Sequence, residues 1–160
     1  MQIKSKLTEK DFINANFVLL YSKLSIKIFT GFILLFLMVS IANSFYFSKD
    51  SSSSMLPPLI MLIVFPLMTY LGAKRNYKAN KRAGETIEYD FNEANLSIKG
   101  ESFNSQLSWD KIYKVTQTKN WILIWQTRQV ANIISKKDIW EGEISDLKNI
   151  LDKHKVKNNL

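Results

Sequence analysis

The chain has no cysteine, one histidine, three prolines and five glycines in 160 residues. Without cysteine there is no disulfide, no thiolate chemistry and no cysteine-bound metal. A single histidine, His154, leaves no His-based zinc set. The few glycines form no phosphate-cradling loop, and no Ser-His-Asp set or metal-ligand spacing is present. The carboxylates supply no acid/base pair either. Glu141, Glu143 and Asp146 cluster where a final helix begins, and a helix dipole accounts for them there. The chain is therefore expected not to be an enzyme and to use no metal or cofactor.

What it does have is two long apolar runs, Ile26–Phe47 and Met55–Ala73, separated by Ser48–Ser54. Beyond Lys27 at the entry of the first, neither run contains a charge. At about 1.5 Å per residue they reach roughly 33 Å and 28 Å, against a hydrocarbon core of about 30 Å. Buried helices of a soluble bundle normally keep a polar stripe, and these are apolar nearly all round. A cleaved signal peptide is a poor fit, because the first run is long and starts late and a second follows at once. The connector is short enough only for an antiparallel helical hairpin.

The net charge of +8 sits beside this hairpin. Residues 1–27 carry +3, residues 74–84 carry +5 through Lys74, Arg75, Lys78, Lys81 and Arg82, and residues 85–160 balance eleven bases with eleven acids. Nucleic-acid binding would put the excess on the folded domain. The positive-inside rule instead puts both termini in the cytoplasm and the Ser-rich loop outside. Lys74–Arg82 is expected to meet anionic headgroups, at about 1 kcal/mol per basic residue near the surface, either as a generic anchor or as a specific headgroup site.

Residues 2–7 alternate as a short strand. Thr8 opens a capping-box-like start to an amphipathic lead-in helix over 9–24. In the first span, Asn43 and Ser44 approach the far interface with Phe45 and Tyr46 as aromatic belt residues. In the second, Ser54 caps, Pro57 and Pro58 fit the first turn, Pro66 kinks the helix and Tyr70 ends it. From Glu85 the period changes to two, giving about six strands with turns at Asn92–Asn95, Gly100-Glu101, Asp110-Lys111 and Lys119-Asn120. Trp140, Ile144, Leu147 and Leu151 then recur on one helical face, with Asp138 as the expected cap and a polar tail, 154–160, expected to fray. The N-terminal strand is available as a seventh, which makes the hairpin an insertion within one domain.

The fold expected is an α+β membrane protein: a two-helix transmembrane hairpin plus a small antiparallel PH-like β-barrel or sheet closed by a C-terminal helix. Its divisions are 1–25, spans 26–47 and 55–73 around the loop 48–54, the basic segment 74–84, the domain 85–153 and the tail 154–160. Two spans, a basic segment, Tyr89-x-Phe91, Leu107-Ser-Trp-Asp-Lys-Ile112 with Val115, Trp121–Trp125 and Ile133–Lys136 together resemble the YcxB-like family of small bacterial membrane proteins. That family often has Pro-Lys where Ser135-Lys136 stands here. The resemblance implies a C-terminal domain similar to bacterial pleckstrin-homology-like domains, and it supplies no biochemical role.

Trp109 is expected to anchor the sheet against the helix. Trp121 and Trp125 share a strand face and are read either as core or as a groove or membrane contact. Trp140 is expected to fill the barrel. Lys114, Lys136 and Lys137 are read as solvated surface, with a small basic rim as the alternative. The function expected is non-catalytic binding, by a PH-like domain at the inner face of the cell membrane, of a protein partner, a second copy or lipid headgroups, with no nucleic acid and no metal. The alternative is a membrane immunity or accessory protein acting on a toxin or a transporter.

Overall fold

A computed structural model describes the backbone of residues 1–46 and 56–160, with side chains described for 1–43 and 56–160. The expected connector Ser48–Ser54, the cap at Ser54 and the side chains of Ser44, Phe45 and Tyr46 lie outside these. The chain divides into two units, Asn16–Asn76 and a second built from Met1–Ala15 with Tyr77–Leu160.

The Asn16–Asn76 unit is helical. It takes in the end of α1 (Glu9–Ser22), all of α2 (Leu24–Tyr46) and most of α3 (Leu56–Ala79). Two stretches, Leu24–Asn43 and Leu56–Ala79, are long and apolar enough to cross a membrane. Their apolar side chains point outward: Leu24 is 71% exposed and Ile63 68%. A soluble core helix would bury such residues. Phe29 and Phe65 meet at 6.0 Å between ring centroids. Helix α3 continues through Pro66, with the Thr69 hydroxyl donating to the Phe65 carbonyl at 2.9 Å. It also runs on past Ala73 to Ala79, so Lys74, Arg75 and Lys78 are helical.

The other unit is an antiparallel α+β fold of two sheets. One has the order β1 (Gln2–Lys6), β2 (Thr86–Phe91), β3 (Asn95–Lys99), β4 (Asn104–Ser108), and the other is β5 (Lys114–Gln117), β6 (Trp121–Trp125), β7 (Ala131–Ser135). Strand β1 pairs along its length with β2, Gln2 opposite Asp90 and Lys6 opposite Thr86. The N-terminal strand thus belongs to the sheet that resumes some eighty residues later, and the helical hairpin is inserted between adjacent strands. Ile3, 2% exposed, lies in the same core as Tyr89, Leu96 and Ile98. At the entry to α1, Thr8 and Asp11 exchange reciprocal backbone-to-side-chain bonds of 3.2 Å each, completing the capping box.

The sheets do not close into a barrel. Their junction is made by side chains: Ser5 Oγ donates to Asp138 Oδ2 at 2.7 Å and accepts from the Ser135 amide at 3.1 Å. A short 3-10 turn, Trp109–Lys111, carries the chain from one sheet to the other. Helix α4 (Glu141–Lys153) covers the core with Leu147 and Leu151, both fully buried, while Ile144 and Ile150 pack at the margin. Burying two leucines contributes about 1.5–3 kcal/mol each.

Three local expectations are overturned. Trp140 does not fill the core but is 81% exposed. It is the residue before the helix, with extended φ −80° and ψ 150°, so it leaves the helical register that aligned it with Leu147 and Leu151. Asp138 does not cap α4, since its carboxylate is taken by Ser5 and the Lys6 amide. The first turn is served by Glu143, whose Oε2 accepts from the Trp140 amide at 2.9 Å. Finally, the tail does not fray. Lys155 takes a left-handed φ of 55°, and the amides of Lys155 and Val156 bond back to Asp152 at 3.0 Å and Leu151 at 2.9 Å. This reversal buries Val156 and lays the last residues along β5, where the Val115 amide donates to the Lys157 carbonyl at 2.8 Å. The Gln117 amide donates to Asn159 Oδ1 at 2.8 Å.

Candidate functional site

The five basic residues singled out in the sequence lie on two successive elements. Lys74, Arg75 and Lys78 are on α3, and Lys81 and Arg82 are in a 3-10 turn, Lys81–Gly84, whose Asn80 side chain accepts from the Arg82 amide at 3.1 Å. Arg75, Lys78, Lys81 and Arg82 are exposed and Lys74 is half-buried. Lys74 Nζ lies 5.8 Å from the Tyr70 ring centroid. The Arg82 guanidinium lies 5.4 Å from that of Phe103. Such cation–π contacts orient the charge and leave it free to meet an anion. Phe103 belongs to a tight turn that requires glycine at Gly100, where a Cβ would come 2.4 Å from the Phe103 ring. Glu85 fastens this turn by accepting from the Ser102 amide at 3.0 Å, and hydrogen bonds from the Ser102 side chain and amide hold its carboxyl below the usual carboxylate range.

The tryptophans take different places. Trp109 is buried, its Nε1 donates to the Glu93 carbonyl at 3.2 Å, and its ring stacks on His154 at 4.4 Å. Trp121 and Trp125 share a face of β6 with Leu123, and all three are buried. Ile122 and Ile124 on the opposite face enter the main core. A strand buried on both faces explains the uninterrupted apolar run of Trp121–Trp125. Trp125 Nε1 donates to Thr116 Oγ1 at 2.8 Å, and Lys114 Nζ lies 5.4 Å from its ring. Lys114, Lys136 and Lys137 make separate contacts: Lys136 Nζ donates to Gln117 Oε1 at 2.6 Å, and Lys137 pairs with Asp11 at 2.5 Å.

A signal that the summed charge concealed emerges once the sheets are separated. Residues 85–110 hold six acids and one base, whereas 111–137 hold six bases and no acid. The first stretch runs through β2–β4, to which β1 adds Lys4 and Lys6, and the second runs through β5–β7, so only the β5–β7 sheet carries a single sign. At one end of the basic sheet a cleft of about 190 Å³ is lined by Lys119 and Asn120 from the β5–β6 turn, Trp121 at the start of β6, Ser135 at the end of β7 with Lys136 and Lys137 after it, and Asp11 and Asn14 of α1. Burial alone would raise the Asp11 carboxyl, but hydrogen bonds from Lys137 and Thr8 and the Lys137 charge outweigh it and hold it below the usual range. The same pairing raises the Lys137 ammonium. Among the described residues no group of three or more acidic or histidine side chains is arranged to hold a metal ion.

The family model described as YcxB-like protein matches residues 91–151. That segment begins at the last residue of β2 and ends at Leu151 in α4; it contains the Trp109, Trp121–Trp125 and Ile133–Lys136 elements of the sequence resemblance, while the two spans, the basic segment and Tyr89 lie outside it. No curated protein and no solved structure matches the chain.

Proposed function

We propose that this YcxB-like chain is a non-catalytic membrane-embedded binding protein. Helices α2 and α3 cross the cell membrane, both termini lie in the cytoplasm, and the two-sheet unit closed by α4 is a PH-like domain. That domain binds its ligand at the inner membrane surface. The observation that carries this reading is the pairing of β1 with β2, with Lys6 opposite Thr86. The chain leaves one sheet edge at Lys6 and returns to it at Thr86, so an excursion through a bilayer must cross it an even number of times. Two helices of spanning length meet that requirement. The basic flanks, +3 before and +5 after, favour the cytoplasmic side.

A binding role is further supported by the work its carboxylates already do. Asp138 joins the sheets, Glu143 serves the start of α4, Asp11 holds Lys137 and Glu85 fastens a turn. Reporter fusions at Ser52 and at the C-terminus test the topology. The expected result is an extracytoplasmic signal at Ser52 and a cytoplasmic one at the C-terminus. A C-terminus outside would overturn the reading.

A further inference from the structure

Cations and carboxylates are unequally matched in the cleft at the end of the basic sheet. It is lined by three lysines and one acid, Asp11. Asp11 is committed to Lys137, at 2.5 Å. The ion pairs among the described residues use Lys4, Lys111, Lys137 and Lys153, so Lys119 and Lys136 have no carboxylate partner there. Lys136 instead donates to the neutral Gln117 Oε1, which holds its ammonium in place without cancelling its charge. Two uncompensated positive charges therefore face a cleft of about 190 Å³, room for a group several times the size of a water molecule. Asn14 and Asn120 add amide donors, and the Trp121 indole supplies an apolar wall. The stretch 111–137, which supplies most of the lining, contains no acid that would repel an anion.

We propose that this cleft binds a phosphate monoester, with Lys119 and Lys136 as its charge partners and Asn14 and Asn120 as hydrogen-bond donors. A monoester carries about −1.5 to −2 at neutral pH, which matches the two free ammonium groups. Lysine binds phosphate as a point charge and needs no bidentate geometry. The inference rests on the membrane-binding reading and gives its ligand a chemical class. The phosphate comes either from a lipid headgroup or from a free ester, and the cleft recognises what both share.

The test uses the full chain in phosphatidylcholine nanodiscs, with and without phosphatidic acid. Titration with glycerol 3-phosphate reads the free ester, and native mass spectrometry of the chain with its retained lipids reads the headgroup. Saturable binding in either arm is expected, the arm that binds identifying the source. Lys119→Gln and Lys136→Gln should each weaken it about 3- to 10-fold, since charge-assisted bonds at a half-exposed site are only partly screened. Together they should remove it. Lys148→Gln, on the exposed side of α4, should leave it unchanged. Lys119 is exposed and, among the described residues, its side chain makes no hydrogen bond or ion pair that its replacement would break, so loss of binding in that variant does not reflect misfolding. Absence of binding in both arms would overturn the proposal, as would equal binding by wild type and double variant. Neither result would alter the Ser52 and C-terminal reporter signals, so failure of the site and failure of the membrane reading remain separable.

Discussion

Replacing Ser5 by alanine probes the joint between the two sheets. Ser5 is 4% exposed. Its hydroxyl accepts from the Ser135 amide at 3.1 Å and donates to Asp138 at 2.7 Å. Ser5→Ala leaves the buried Ser135 N–H without that acceptor, which costs about 1–3 kcal/mol, while the Asp138 carboxylate turns to water for about 1 kcal/mol more. The sum, roughly 2–4 kcal/mol, corresponds to a fall in Tm on the order of 10–20 °C for a unit of this size. All four tryptophans, Trp109, Trp121, Trp125 and Trp140, lie in the two-sheet unit, so their fluorescence follows its melting without signal from the helices. Hydrogen exchange adds a local reading, with protection of the Ser135 amide expected to drop. A variant that melts within a degree or two of wild type, with that amide equally protected, would refute the claim that Ser5 joins the sheets.

Three further outcomes follow from the packing and charges. Leu147→Ala should destabilise the two-sheet unit by about 2–5 kcal/mol, whereas Trp140→Ala should change it by less than about 0.5 kcal/mol; comparable losses in chemical unfolding would contradict the placement of both. Lys155→Gly should stabilise by about 0.5–1 kcal/mol, because glycine relieves a left-handed φ, and a lower Tm would contradict that. For Asp11, whose folded pKa is lowered from 3.8, the pairing with Lys137 contributes stability above that value and loses it as pH falls through the folded pKa. Lys137, raised from 10.5, contributes below that value and loses its share as pH rises through its folded pKa. The Tm difference between wild type and Asp11→Asn should therefore be level from about pH 5 to 9 and shrink below about pH 4. A difference unchanged at pH 3 would count against the pairing.

Much of this architecture is legible in the sequence because its signals are local. The apolar runs, the capping box at Thr8, the period-two strands and the Leu147–Leu151 face each depend on neighbours a few residues apart. The availability of residues 2–7 as a further strand is legible too, from alternation and from the same-side topology that the flanking charges lead one to expect. What escapes depends on contacts distant in sequence or on one backbone angle. Trp140 fits the helical repeat by spacing alone, but an extended φ/ψ one residue before the helix takes it out of that face. The tail lacks a glycine to announce its reversal at Lys155, although Val156 and Leu160 are the apolar residues that dock. The candidate cleft is hidden for a different reason. A sum over residues 85–160 is zero, and only the division between sheets exposes an acid-free stretch from Lys111 to Lys137. The basic residues beside α3 are visible as a cluster, while Lys119 and Lys136 meet only through the turn after β5 and the end of β7.

The claim on which the rest depends is that a helical hairpin is inserted between two paired strands of one domain. The chain has no cysteine, so thiol chemistry can be introduced without background. Lys4 and Glu88 are register partners on β1 and β2, with Lys4 Nζ and Glu88 Oε1 3.4 Å apart. The measurement joins Lys4→Cys with Glu88→Cys through a short thiol-to-thiol cross-linker in intact membranes, then cuts the chain at a protease site engineered within residues 48–54. The two fragments should stay covalently linked. The pair Lys4→Cys with Asn104→Cys, in register but about 14 Å apart across three strand spacings, should release them. Fragments that separate in the first pair, or remain joined equally in both, would contradict the inserted-hairpin fold.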